Sequence, residues 1–271
     1  MSIPSPILFK LGSLTIHWYG LLILLAIIVG FFIGRQLFKR YNLSLIFFED
    51  LIFYLIIFSV LGARVWHILG DLNYYLTYPL DMLKIWEGGL AIHGVILAGI
   101  ITIYFYTKKK HLDFLKVLDI FAPLVVLGQA IGRWGNYFNQ EIYGWPTDSF
   151  IGIPINLVNR VPGFEQFEFF QPIFLYESLW CFLIFIILMW LHQRNYQQTV
   201  IHNQSLKFIN YPGFIFLSYL ILYSLERFFI SFIRLDPMPI FLNLRFDQWT
   251  SLILIVLGVA TFLFLYKKRK V

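Results

Sequence analysis

Seven apolar stretches run along the chain, at 16–38, 49–69, 89–107, 117–136, 172–193, 212–234 and 246–266. Polar and aromatic segments separate them. A bilayer core of about 30 Å takes about 20 predominantly apolar residues as one helical crossing. The pattern predicts an all-α integral membrane protein of seven transmembrane helices, forming a single polytopic domain over residues 1–271. The fourth and sixth stretches carry charged residues near one end. No internal repeat and no low-complexity segment interrupts the series. Only Lys10 precedes the first stretch and no small-residue cleavage site follows it, so a retained helix is predicted rather than a signal peptide.

The basic residues predict a direction. Lys and Arg gather on the cytoplasmic side of membrane proteins. Arg35, Lys39 and Arg40 follow the first stretch, and Lys108, Lys109, Lys110 and Lys116 separate the third and fourth. Arg194 and Lys207 follow the fifth, and Lys267, Lys268, Arg269 and Lys270 follow the seventh. The opposite side has Lys10, Lys84, Arg160 and Arg245. The N-terminus is thus placed outside and the C-terminus in the cytoplasm.

Residues 137–171, between the fourth and fifth helices, fall outside under this direction. A connection of that length is usually functional or disordered. Its aromatic content and its short β-like runs (FIGIPINLV, FEQFEFF) argue for order, so a small extracytoplasmic head is predicted there.

Composition agrees with a lipid setting. Of 271 residues 59 % are hydrophobic and 13 % charged, against roughly a quarter charged in soluble domains. The net charge of +6 sits at the ends of apolar stretches rather than on one face, which speaks for topology and against a nucleic-acid partner. The single cysteine, Cys181, lies inside an apolar run and reads as a packing residue. The six histidines (His17, His67, His93, His111, His192 and His202) form no pair at metal-ligand spacing, and no nucleotide-binding glycine loop or GxSxG elbow is present. Neither metal nor cofactor is expected. Asp119, near the cytoplasmic start of the fourth helix, reads as a charge serving that helix's dipole.

Four arginines do not fit the topological pattern. Arg64, Arg133, Arg227 and Arg234 lie within or at the edge of apolar stretches, all toward the predicted outer ends of even-numbered helices. Tyr19, His17, His93, Tyr176 and Glu177 fall at the same level, so six segments place polar groups at one depth. An arginine near a helix end often only snorkels. Four at one level, with arginine rather than lysine at each, suggest a site for phosphate, because the guanidinium fork binds it bidentately and keeps its charge. Arg133 and Asn136 share a helix face by spacing, as do Tyr223, Arg227 and Arg234. Glu87, Glu141 and Glu177 are candidate bases or counter-ions of the arginines, and the counter-ion reading is favoured. A transporter of anionic lipids would also explain the arginines, but it would spread polar groups along a path through the bilayer.

GRWGNYFNQEIYG at 132–144 resembles the signature of bacterial phosphatidylglycerol–prolipoprotein diacylglyceryl transferases, approximately G-R-x-G-N-[FY]-x-N-x-E-x-x-G. Gly132, Arg133, Gly135, Asn136, Tyr137, Asn139, Glu141 and Gly144 all match. HWYGLL, GARVWHIL, GGLAIHG, PIFLYESLW and the stretch from Tyr223 to RLD are also similar to the family, so the resemblance covers the whole chain. The chain departs from the family at Gln171 and Phe174. It also has Ser231 where the family commonly has a glutamate four residues after the arginine.

The resemblance implies a transfer of the diacylglyceryl group from phosphatidylglycerol to the lipobox cysteine of prolipoprotein signal peptides, with a thioether formed and glycerol phosphate released. It implies a monomer in the bacterial cytoplasmic (inner) membrane, with its site on the extracytoplasmic side. His93, Arg133, Arg227 and Tyr19 are the expected catalytic residues. Arg133, Asn136, Asn139, Glu141, Gly144, Tyr223 and Arg64 are the expected substrate-binding ones. His93 is expected to take the thiol proton, Arg133 and Arg227 to hold phosphate, and Glu141 to orient an arginine.

Overall fold

The computed structural model describes residues 3–12, 14–201 and 211–268. His202, Lys207, Arg269 and Lys270, which entered the histidine survey or the charge reading above, lie outside them. The long helices are α1 (Trp18–Arg40), α2 (Leu45–Gly70), α4 (Ile92–Lys109), α5 (Phe114–Asn139), α6 (Ile173–Ile201), α7 (Phe214–Ile230) and α8 (Phe246–Lys268), with a short α3 (Leu72–Thr77). Among the described residues three two-stranded antiparallel pairs accompany them: β1 (Ile7–Leu11) with β2 (Leu14–His17), β3 (Ile153–Pro154) with β4 (Phe169–Phe170), and β5 (Ile240–Phe241) with β6 (Leu244–Arg245).

Among the described residues five helices are long and apolar enough to cross a membrane: α1, α2, α5, α6 and α8. The other two are shorter at their polar ends. α4 has 18 residues and closes on Lys108 and Lys109, while α7 has 17 and includes Glu226 and Arg227. Ile16 and His17 belong to β2 rather than to the first helix, because the hairpin pairs His17 with Ile7. α7 stops at Ile230, and residues 231–234 turn away from its axis.

Contacts divide the chain into two compact units, residues 34–118 and residues 1–33 with 119–271. In the first unit α2 and α4 pack at van der Waals range through small residues. A Cβ on Gly94 would collide with the carbonyl of Gly62, and one on Gly62 would collide with Ala98. Small-residue contacts of this kind let helix backbones approach closely in membranes.

In the second unit α5, α6 and α7 bury Val126, Ala130, Cys181, Ile184, Leu188, Ile215 and Tyr219 in one apolar cluster. Cys181 is fully buried there, as a packing residue should be. Asp119 serves a different helix from the one its sequence position suggests. Its carboxylate accepts from Gly213 N at 2.7 Å and Phe216 N at 2.8 Å, capping α7 rather than its own helix. Gly213 has φ +91°, which lets the chain enter α7 with those N–H groups aimed at the acid.

Within residues 137–171, Tyr143, Ile153, Ile155 and Phe170 form an apolar cluster with Phe174 of α6, and the β3–β4 pair contributes Ile153 and Phe170 to it. Gln140 ties this segment down at two points. Its amide donates to the Pro4 carbonyl at 2.6 Å, and its oxygen accepts from Asn156 N at 2.7 Å. Arg160 holds the loop from inside, through the carbonyls of Ile155 and Glu165.

Candidate functional site

The second unit carries an ionic cluster centred on Glu177, which opens α6 and is fully buried. Its Oε1 accepts from Arg227 Nη1 at 2.7 Å and from Arg234 Nη1 at 3.4 Å. Arg133 Nη1 lies 3.0 Å from Oε2, at ion-pair distance though not aligned as a hydrogen bond. One carboxylate thus receives guanidinium groups from α5, α7 and the turn after α7. A buried charge must be paired in this way, since an isolated one costs several kcal/mol.

A second ring of charge surrounds the first. Arg234 grips Asp236 through two parallel bonds of 2.7 and 2.8 Å. Arg245 reaches Asp236 at 3.2 Å, Asp247 at 3.4 Å and the Arg234 carbonyl at 3.1 Å. Burial alone would raise the Asp236 carboxyl, but Arg234 and Arg245 outweigh it and hold the group below the ordinary 3.8. The β5–β6 turn delivers Arg245: Leu242 and Asn243 both have positive φ, the requirement of a two-residue turn that reverses the strand at once.

Exposure separates the three central arginines. The Arg234 side chain is 3 % exposed, Arg133 14 % and Arg227 18 %. Arg234 is therefore spent inside the protein, whereas Arg133 and Arg227 keep part of their side-chain surface exposed. Arg133 also donates to Tyr223 Oη at 3.4 Å and Asn136 Oδ1 at 3.5 Å. Glu141 holds the amides rather than an arginine, since its Oε1 accepts from Asn136 at 2.8 Å and Asn139 at 3.2 Å.

Two glycines of the signature explain themselves by space. A Cβ on Gly135 would strike the Tyr19 ring, so this glycine lets Tyr19 pack directly on α5. One on Gly144 would sit 2.7 Å from the Ile233 carbonyl. Gly144 is the point where residues 143–145 pair with 233–235, through Leu235 N to Tyr143 O at 3.1 Å and Trp145 N to Ile233 O at 3.2 Å. In the structure this residue serves backbone pairing, and that pairing sets where Arg234 stands.

The structure thus brings Arg133, Asn136, Asn139, Glu141, Tyr223 and Arg227 into one connected set with Glu177. Arg64 and His93 belong to the other unit. Arg64 is buried, and its guanidinium donates to the carbonyls of Asp81, Met82, Lys84, Gly88 and Gly89, with the Tyr75 ring 5.3 Å away. All of its nitrogens are engaged in shaping residues 79–89. His93, the second residue of α4, packs its ring on Trp66 at 5.9 Å.

Sequence reasoning missed Asp236 and Asp247 as partners of the arginines. Asp247 had a signal: an acidic residue in the first turn of the last apolar stretch, at the level where Arg227 ends its own. Two further buried groups stand apart. Among the described residues the Ser224 hydroxyl and both Glu226 carboxyl oxygens have no hydrogen-bond partner.

Fold and cluster together define a multi-pass helical membrane protein whose polar site is built from arginines around one buried glutamate. The family model described as prolipoprotein diacylglyceryl transferase matches residues 6–264. Curated relatives named phosphatidylglycerol–prolipoprotein diacylglyceryl transferase include that of Parasynechococcus marenigrum, 40 % identical over 94 % of this chain and 91 % of the relative. Those of Trichormus variabilis and Halalkalibacterium halodurans are each 37 % identical, over 98 % and 97 % of this chain and 92 % and 86 % of theirs. The chain belongs to the prolipoprotein diacylglyceryl transferase family.

Proposed function

We propose that this protein transfers the diacylglyceryl group of phosphatidylglycerol to the lipobox cysteine of prolipoproteins, the first step of lipoprotein maturation. The sulfur attacks the glyceryl carbon that bears the phosphate. A carbon–sulfur bond forms, the carbon–oxygen bond to phosphate breaks, and glycerol phosphate leaves with the electron pair.

Two difficulties follow from that chemistry. A thiol with a pKa near 8.5 is only a few per cent thiolate at pH 7, so its proton needs an acceptor. His93 is assigned that role. The departing phosphate needs preorganised positive charge in a water-poor site. Arg133 and Arg227 supply it, Asn136 and Asn139 bind headgroup oxygens within reach of Glu141, and Tyr223 and Tyr19 complete the hydrogen bonding. Arg64 and Gly144 act through the backbone they hold. Substrate binding and charge placement suffice without a metal or organic cofactor.

The observation that carries this reading is the sharing of Glu177 by two arginines that each keep part of the side chain exposed. A third arginine, Arg234, is buried behind them. Such a cluster holds forks rigidly, ready for an anion that supplies further acceptors.

Seven crossings complete the proposal, with α4 and α7 spanning alongside the five longer helices. The N-terminus lies outside, the C-terminus in the cytoplasm, and residues 137–171 form the extracytoplasmic head of a single polytopic domain. The protein acts as a monomer in the bacterial cytoplasmic membrane and binds no nucleic acid.

Purified protein, phosphatidylglycerol and a synthetic lipobox peptide test the activity. A diacylglyceryl gain in peptide mass with stoichiometric glycerol phosphate release is the expected result. A folded, lipid-binding protein that leaves the peptide unchanged would refute it.

A further inference from the structure

We infer that Asp247 is a positioning residue for the transfer, aiming the Arg227 guanidinium from the start of α8. The inference rests on the phosphate-holding role proposed for Arg227.

Glu177 alone cannot fix that guanidinium. Its Oε1 is shared between Arg227 and Arg234, and its Oε2 faces Arg133. Its place is a compromise among three cations. Arg227 has a second anionic partner on its other terminal nitrogen: Nη2 lies 3.4 Å from Asp247 Oδ2. Carboxylates on both terminal nitrogens restrain rotation about the last bond of the side chain and set the plane of the fork. A phosphate bound by that fork depends on its plane.

Asp247 is itself held. Ser231 Oγ, almost fully buried, lies 2.7 Å from Asp247 Oδ2 and 2.7 Å from the Arg227 carbonyl. A hydroxyl has one proton, so the two acceptors share it, and the group ties the last turn of α7 to the first turn of α8. Arg245 Nε approaches the other oxygen at 3.4 Å. The first turn of a helix also favours a carboxylate through the exposed N–H groups there. With its oxygens engaged by Ser231, Arg227 and Arg245, Asp247 acts through Arg227 rather than on substrate. Glu226, next to Arg227 in sequence, provides no such restraint, because neither of its oxygens has a hydrogen-bond partner.

A double-mutant cycle tests the inference, with kcat and KM for phosphatidylglycerol measured in detergent with a lipobox peptide. Asp247→Asn, close in size and still able to accept from Ser231, is expected to lower kcat/KM by about 10–100-fold, as for other groups that orient a ligand-holding side chain. In an Arg227→Lys background the same change should cost less than about two-fold, because the group it acts through is already altered. Exchanging the pair, Ser231→Asp with Asp247→Ser, keeps a carboxylate at the same hydrogen bond and should recover most of the lost activity.

Full activity in Asp247→Asn, or an equal loss in both backgrounds, would overturn the inference. If Asp247→Asn fails to fold, the exchanged pair decides: folded and active supports it, folded and inactive overturns it. Full activity in Arg227→Lys alone would instead remove the phosphate-holding reading of Arg227.

Discussion

Arg227 Nη1 sits 2.7 Å from Oε1 of Glu177, a carboxylate with no exposed surface. Arg133 and Arg234 meet the same group, so Glu177→Gln would leave three guanidinium groups facing one another around a neutral amide. Breaking a buried pair from one side costs about 3–5 kcal/mol. Glu177→Gln should lower the thermal midpoint in detergent well beyond any surface substitution and abolish peptide modification. A midpoint equal to wild type would mean that Glu177 does not hold the cluster.

Gly144→Ala separates a backbone role from a substrate role. The added methyl would press on the Ile233 carbonyl at 2.7 Å and on Ile173 and Gln171 at 2.9 and 3.0 Å. Overpacking of this kind costs about 1–3 kcal/mol. Stability and activity should fall together. A loss of activity at unchanged thermal midpoint would assign Gly144 to substrate contact instead.

The Arg234–Asp236–Arg245 cluster predicts a pH dependence of stability. Asp236 is held below its ordinary 3.8, so its contribution is complete above that value and fades as pH falls through the lowered one. Asp236→Asn should therefore be less stable than wild type at neutral pH. The gap should stay constant down to about pH 4 and close in stronger acid. Thermal midpoints across that range check it, and a gap that widened in acid would contradict the pairing.

Arg64 meets five carbonyls in residues 79–89. Lysine has three donors on one nitrogen and cannot span them. Arg64→Lys should speed amide exchange across residues 79–89 while leaving α5 and α6 protected. Unchanged exchange there would show that the segment is held by other contacts.

Much of the arginine cluster is legible in the sequence alone. Arg133 with Asn136, and Tyr223 with Arg227, stand three and four residues apart, and helical geometry alone puts each pair on one face. Glu177 is legible as a counter-ion because it opens a helix at the level where the arginines end theirs. Partners across long separations are not. Asp119 caps a helix that starts more than ninety residues later, and Asp247 meets Arg227 from the last helix. Periodicity describes one helix at a time and is blind to which ends meet. The start of α1 was misplaced for a local reason: Leu14, Thr15 and Ile16 carry β-branched and apolar residues that suit a strand as well as a helix entry. The end of α7 was overrun because Phe232 and Ile233 are apolar, although the chain there turns to pair with residues 143–145.

The central claim is that guanidinium forks, and not positive charge alone, hold the phosphate of phosphatidylglycerol. Arg133→Lys tests it most directly, because lysine keeps the charge and loses the planar pair of donors. The measurement is kcat/KM for phosphatidylglycerol with a lipobox peptide, on protein shown to fold by its thermal midpoint. A fall of at least about ten-fold, the equivalent of 1.4 kcal/mol of transition-state stabilisation, is the predicted result. Wild-type kcat/KM in Arg133→Lys would contradict it.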